Sequence, residues 1–279
     1  MPANQSASRP LVVDAHCHAG DGDGLTGPWD TSAPLDDYLR RCDAAGITHS
    51  VLFAAFDSQY EQANREVARI VASNRKRFTG FAFVHPQHDR GRIGEIVGVA
   101  VREYGFRGIK VHHHDGRLTR EVCETARAFR IPVLYDPMGE VAPLEMVATA
   151  YPDVALIVPH LGSFADDWSA QRTFLDIFAR NRNVYADTSG VRRFDLLTEA
   201  VRRGGAERVI FGSDGPWLHP GLELAKVKLL GLPREAEALV TGGNIARLIG
   251  RARHVAPAAP PVADRVLPTA DDPWRRRPA

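Results

Sequence analysis

His16 and His18 stand two residues apart at the end of an apolar run, Leu11 to Val13. Residues two apart on an extended strand point to the same side, so the two imidazoles project together. Imidazole is the commonest side-chain ligand for zinc and similar ions, and two from one rigid strand supply half a coordination shell. A His-x-His pair is also a frequent surface accident, and the remaining residues must decide. Cys17, between them, faces the opposite way and reads as packing.

Other residues of chemical interest follow short apolar runs in the same manner. His85 precedes Pro86; Lys110 leads into Val111 and the run His112, His113, His114, Asp115; Asp136 follows Val-Leu-Tyr. His160 lies within Pro-His-Leu-Gly, Asp187 opens Asp-Thr-Ser, and Asp214 lies within Phe-Gly-Ser-Asp-Gly-Pro-Trp. Each has a plain alternative. His85 could cap a strand, Lys110 could snorkel or serve as a ligand or substrate-binding cation, the histidine run could be a solvated loop, and Asp187 could cap its loop. His160 and Asp214 stand out, because each breaks an apolar run abruptly before small or turn-forming residues.

The elements that must position these residues alternate along the chain. Beginning at Leu11, apolar strands fit at 51–55, 80–84, 108–111, 133–135, 155–158, 184–186 and 209–211. Amphipathic helices fit between them at 32–45, 61–75, 92–104, 119–129, 142–151, 170–180 and 196–203, with 222–229 and 234–249 after the last strand. A Gly- and Asp-rich loop, 19–31, is long enough to cover a site. Strands apolar on both faces suit a parallel sheet covered by helices. Eight strand–helix repeats fit a single α/β domain, a (β/α)8 TIM barrel over 11–250, with chemistry at the C-terminal ends of the strands. Residues 1–10 read as a disordered N-terminus. Residues 251–279, rich in Pro, Ala and Arg, read as a weakly ordered tail that Trp274 could anchor to the barrel or to a neighbouring subunit.

Composition narrows the function classes. A formal net charge of +1 leaves no electrostatic footprint for nucleic acid or an anionic membrane. No apolar run approaches the roughly 18 residues that span a bilayer, and the first ten residues lack a signal-peptide core. Three cysteines without repeated spacing fit a reducing cytoplasm. No Gly-x-Gly-x-x-Gly follows a strand, so nucleotide binding lacks its fingerprint.

In combination, Val-Asp-Ala-His-Cys-His (13–18), Gly-Ile-Lys-Val-His (108–112), Val-Pro-His-Leu-Gly (158–162), Val-Tyr-Ala-Asp-Thr-Ser (184–189) and Val-Ile-Phe-Gly-Ser-Asp-Gly-Pro-Trp (209–217) resemble the amidohydrolase superfamily. Within it the chain is most similar to the amidohydrolase-2 branch, which includes aminocarboxymuconate-semialdehyde decarboxylase and related decarboxylases and hydrolases. Gly-Gly-Asn-Ile-Ala-Arg-Leu (242–248) is similar to that branch's last-helix signature. The resemblance implies His16 and His18 as metal ligands, Asp214 as a ligand or proton-transfer carboxylate, and His160 as the residue orienting or activating the attacking water. It also implies one divalent ion, Zn²⁺ in the first place and Mn²⁺ in the second, and a homodimer is a reasonable expectation.

One position departs from that pattern. Where the family segment ends in a ligand histidine, this chain has Asp136. A carboxylate can ligate zinc at nearly the same distance, with one more negative charge, and favours harder ions such as Mn²⁺. Alternatively Asp136 points away and Lys110, His112 or His114 completes the shell; or there is no metal, as the similar pyrone-dicarboxylate lactonases imply. Lys110, His112, His114, Arg193 and Trp217 are the expected substrate contacts. The leading expectation is a metal-dependent hydrolase of a small amide, lactone or ester. Its competitors are a non-oxidative decarboxylase of an unsaturated or aromatic acid, and a ligand-binding barrel without catalysis.

Overall fold

The computed structural model describes residues 10–24 and 32–252; the N-terminal segment before residue 10, the tail from 253 onward with Trp274, and 25–31 of the expected covering loop lie outside the described residues. In chain order, the first half comprises β1 (Val13–Asp21), β2 (Ser32–Ala33), α1 (Leu35–Ala45), β3 (His49–Ala54), α2 (Tyr60–Ser73), β4 (Phe78–Gly80), β5 (Ala82–Phe83), α3 (Ile93–Val99), β6 (Ile109–His112) and α4 (Arg120–Phe129). The second half comprises β7 (Val133–Asp136), α5 (Ala142–Ala150), β8 (Leu156–Val158), α6 (Trp168–Arg180), β9 (Val184–Asp187), α7 (Phe194–Gly204), β10 (Val209–Ile210), α8 (Pro220–Leu229), α9 (Arg234–Ala238) and α10 (Asn244–Ile249).

Two runs of strands, β2-β1-β3-β4 and β5 through β10, are parallel throughout except for the β1–β2 hairpin. β4 and β5 are one interrupted strand, since the Phe81 amide between them still donates to Leu52 O at 2.8 Å. At the other seam, Ala15 N donates to Phe211 O (3.0 Å), His18 N to Gly215 O (2.7 Å) and Gly215 N to His16 O (3.2 Å). Hydrogen bonds therefore run around a ring of eight parallel strands, the expected barrel. The strands are buried on both faces, and the helices cover them with their apolar sides. In α4, for example, Val122, Cys123, Ala126 and Phe129 face inward while the Thr119 hydroxyl caps the first turn. None of the described helices is long and apolar enough to cross a membrane.

Among the boundaries that differ from the sequence reading, three stand out. β1 does not end at the histidines but continues to Asp21, because Gly20 and Asp21 pair with Ala33 and Ser32. Those two residues were expected in a helix; Pro34 holds its predecessor extended, so α1 starts only at Leu35. The last expected helix, 234–249, is interrupted by a π-turn at Leu239–Gly243. There the chain presses against the start of β1: a Cβ on Gly242 would lie 2.5 Å from Leu11 O.

Candidate functional site

His16 and His18 project from β1 into the barrel mouth and are 1% and 2% exposed. What each ring can do is decided by its Nδ1. His16 Nδ1 donates to Asp187 Oδ2 at 2.7 Å, and His18 Nδ1 donates to the Ala54 carbonyl of β3 at 2.9 Å. Both Nε2 atoms are thereby left to face a metal ion, with each Nδ1 engaged by a partner outside the candidate ligand set. They face one carboxylate: Asp214 Oδ1 is 3.2 Å from His16 Nε2 and 3.7 Å from His18 Nε2. The three ligand atoms lie within 4.8 Å of one another and all three residues are buried, so two imidazoles and a carboxylate fit a divalent ion.

Electrostatics agree with a cation there. Burial and Lys110 push the His16 pKa down, but Asp187 and Asp214 outweigh them and raise it to about 9. Burial alone raises the Asp214 carboxyl, yet His16, His160 and His18 pull it well below the usual carboxylate range. His18 goes the other way: burial drives its pKa far down, leaving a neutral ring. Asp214 itself has φ 59°, a left-handed conformation that a non-glycine residue adopts at a cost of about 1–3 kcal/mol.

Asp136 ends β7 elsewhere. Among the described residues it stands outside the His16–His18–Asp214 group; its Oδ2 lies 3.3 Å from His112 Nε2 and 3.6 Å from His160 Nε2, and its Oδ1 accepts from Met138 N. His112 Nδ1 accepts from the His114 amide at 3.2 Å, so its proton sits on Nε2 and is donated to Asp136. His112 is thus a donor, unlike the ligand pair. His160 resembles the pair: Nδ1 donates to Ser189 O at 2.7 Å, which leaves Nε2 facing Asp136. His160 and Leu161 are both left-handed (φ 58° and 51°), and the Gln171 amide steadies the turn by donating to His160 O and Ser163 O. Gly190 is required beside it, since a Cβ there would come within 2.9 Å of His160 Nδ1.

Lys110, two residues before His112 on β6, is 1% exposed, with Nζ 5.0 Å from the centre of the Phe53 ring. It has no hydrogen-bond partner among the described residues. Burial lowers its pKa, opposed chiefly by Asp136 and Asp214. Trp217 packs on His18 with ring centres 4.4 Å apart, lies nearly parallel to Phe56 at 6.2 Å, and donates to Ser32 O. His114 is exposed near Phe56. Arg193 is not brought to the site: its side chain is 52% exposed and pairs with Asp195 at 2.6 Å. His85 is structural, with Nδ1 accepting from the Gln87 and His88 amides.

Two contributors went unassigned in the sequence reading. Asp187, visible there only as a strand-end carboxylate, orients His16. Ser189 places its hydroxyl 3.2 Å from His16 Nδ1 and 3.3 Å from His160 Nδ1. No spacing rule announces either role, because both depend on strands far apart in sequence.

Comparison with known proteins bears on the fold and the family. Among solved structures the chain is similar to a dihydroxybenzoic acid decarboxylase from a Polaromonas species with bound manganese and 2-nitroresorcinol, at 18% identity over 86% of this chain and 97% of that one, TM-score 0.66. It is also similar to 5-carboxyvanillate decarboxylase from Sphingomonas paucimobilis (16% identity, 87% and 99% covered, TM-score 0.67). A probable 2-pyrone-4,6-dicarboxylic acid hydrolase from Acinetobacter baumannii matches at 17% identity, with 86% and 99% covered and TM-score 0.68. These likenesses establish the fold. The comparison with curated proteins found no match. The amidohydrolase family model aligns with residues 13–251, from the first residue of β1 to just past α10, and the chain belongs to that family.

Proposed function

We propose that the protein is a metal-dependent hydrolase that adds water to an amide, lactone or ester bond of a small molecule. The observation that carries this reading is the convergence of His16 Nε2, His18 Nε2 and Asp214 with the His160 ring beside them, 5.4 Å from His16 between centres. Zn²⁺ is the ion of first choice and Mn²⁺ the second; when bound, such an ion polarises a carbonyl and lowers the pKa of water.

The protein's own groups divide the remaining work. Asp214, held ionised, accepts a proton from the attacking water. His160 Nε2 passes a proton to the leaving group, and Asp136 opposite stabilises the imidazolium form. Lys110 and the His112 Nε2–H supply positive and donor character on the β6 side, where negative charge on the substrate is received. Trp217 and Phe56 give a planar apolar wall for the substrate body. The same reading makes this a cytoplasmic enzyme of small-molecule metabolism, in keeping with three buried free cysteines.

A second reading, non-oxidative decarboxylation of an unsaturated or aromatic acid, draws on Lys110: a buried ammonium without a hydrogen-bond partner among the described residues suits a carboxylate. Elemental analysis of the purified protein, followed by product analysis on panels of lactones, amides and aromatic acids, tests both. About one equivalent of metal and products heavier by one water support the hydrolase; released carbon dioxide replaces it with the decarboxylase. Metal binding with no turnover of any panel leaves a ligand-binding barrel.

A further inference from the structure

The ligand set is divided by the β1–β10 seam, with His16 and His18 on one side and Asp214 on the other. Beneath it lies Asp14, fully buried, whose carboxylate takes four donors. Oδ1 accepts from the amides of His16 (3.1 Å) and Ser213 (2.8 Å). Oδ2 accepts from the Tyr38 hydroxyl (2.8 Å) and the Ser213 hydroxyl. The network continues through Ser50 Oγ, 2.8 Å from Tyr38 OH, and through Ser213 Oγ, which accepts from Gly215 N at 3.0 Å. Ser213 and Gly215 are the immediate neighbours of the left-handed Asp214. The Tyr38 ring fills the space where a Cβ on Gly215 would stand, 2.4 Å away.

Among the described residues no cation is a hydrogen-bond partner of Asp14. A carboxylate buried with neutral donors alone costs stability that an apolar side chain would not. Packing therefore does not account for it, whereas its connections do: one carboxylate links β1, α1 and the loop carrying Asp214. We propose that Asp14 is a positioning residue that clasps the barrel across this seam and holds Asp214 against His16 and His18 before any ion arrives. The metal half of the inference rests on the function proposed above; the clasp does not.

Asp14→Asn is the informative variant. Asparagine keeps an oxygen for the two amides, and the two hydroxyls can rotate to accept from its NH₂. Tyr38→Phe provides a second variant that retains the ring against Gly215. Hydrogen exchange of the metal-free proteins is read at the seam amides of His18 and Gly215, with amides of β6 and β7 as the internal control. In both variants exchange quickens about tenfold or more at the two seam amides and stays unchanged in β6 and β7. Saturating Mn²⁺ restores the slow rate, and the Kd for Mn²⁺ rises roughly tenfold, as for other groups that orient ligands. Unchanged seam exchange, or exchange faster everywhere, overturns the clasp. Should wild-type protein bind neither Mn²⁺ nor Zn²⁺, the metal reading falls while seam exchange still decides the role of Asp14.

Discussion

The two walls of the barrel mouth use the same residue types for different ends. On the β1–β10 wall, two imidazoles have their Nδ1 atoms engaged by Asp187 and Ala54 O, and turn their Nε2 atoms toward one carboxylate. On the β6–β8 wall, Asp136 already receives the His112 Nε2–H and faces His160. In the function proposed above, the first wall holds a cation and the second holds and moves protons. What separates them is the partner of a ring nitrogen several ångströms from the chemistry.

The largest effect expected is on Asp214, the acceptor of the first wall. Asp214→Asn should lower turnover by roughly 10³-fold, within the range of general-base contributions. A fully active variant would end the proton role assigned to it.

Next comes the charge on that wall. In metal-free protein His16 keeps its proton up to about pH 9, against about 6.5 in the unfolded chain. The stabilisation is therefore complete below pH 6.5 and lost as the pH rises through 9, a fall of about 3 kcal/mol at most. Thermal unfolding of chelator-treated protein should show this loss, and His16→Gln should remove it. A wild-type profile as flat as the variant's would mean that Asp187 and Asp214 do not hold a proton on His16.

The smallest effect sharpens the comparison most. Asp136→Asn should leave metal stoichiometry unchanged while lowering kcat about 10²-fold and moving its pH profile. Loss of the metal instead would transfer Asp136 to the first wall and make it the substitute ligand.

The barrel, the His-x-His pair and Asp214 were legible in the sequence because periodicity and strand-end position are local properties. Asp136 was legible as a departure from a pattern, but not its direction. That depends on His112, whose tautomer is set by the His114 amide, and on the left-handed turn at His160. Arg193 was misplaced for a related reason: it lies close in sequence to a site strand, yet Asp195 two residues on holds it at the surface. The helix expected from 32 failed at Pro34, a local signal outweighed in the reading by the apolar spacing that follows. Asp14 was visible only as a member of the Val-Asp-Ala-His-Cys-His motif and its linking role was not, since its partners Tyr38 and Ser213 are 24 and 199 residues away.

The contact between Gly242 and Leu11 joins the first and last described stretches of the barrel at the N-terminal ends of the strands, opposite the mouth. Any side chain at position 242 would push these two stretches apart and loosen the floor, while leaving His16 and Asp214 at the mouth untouched.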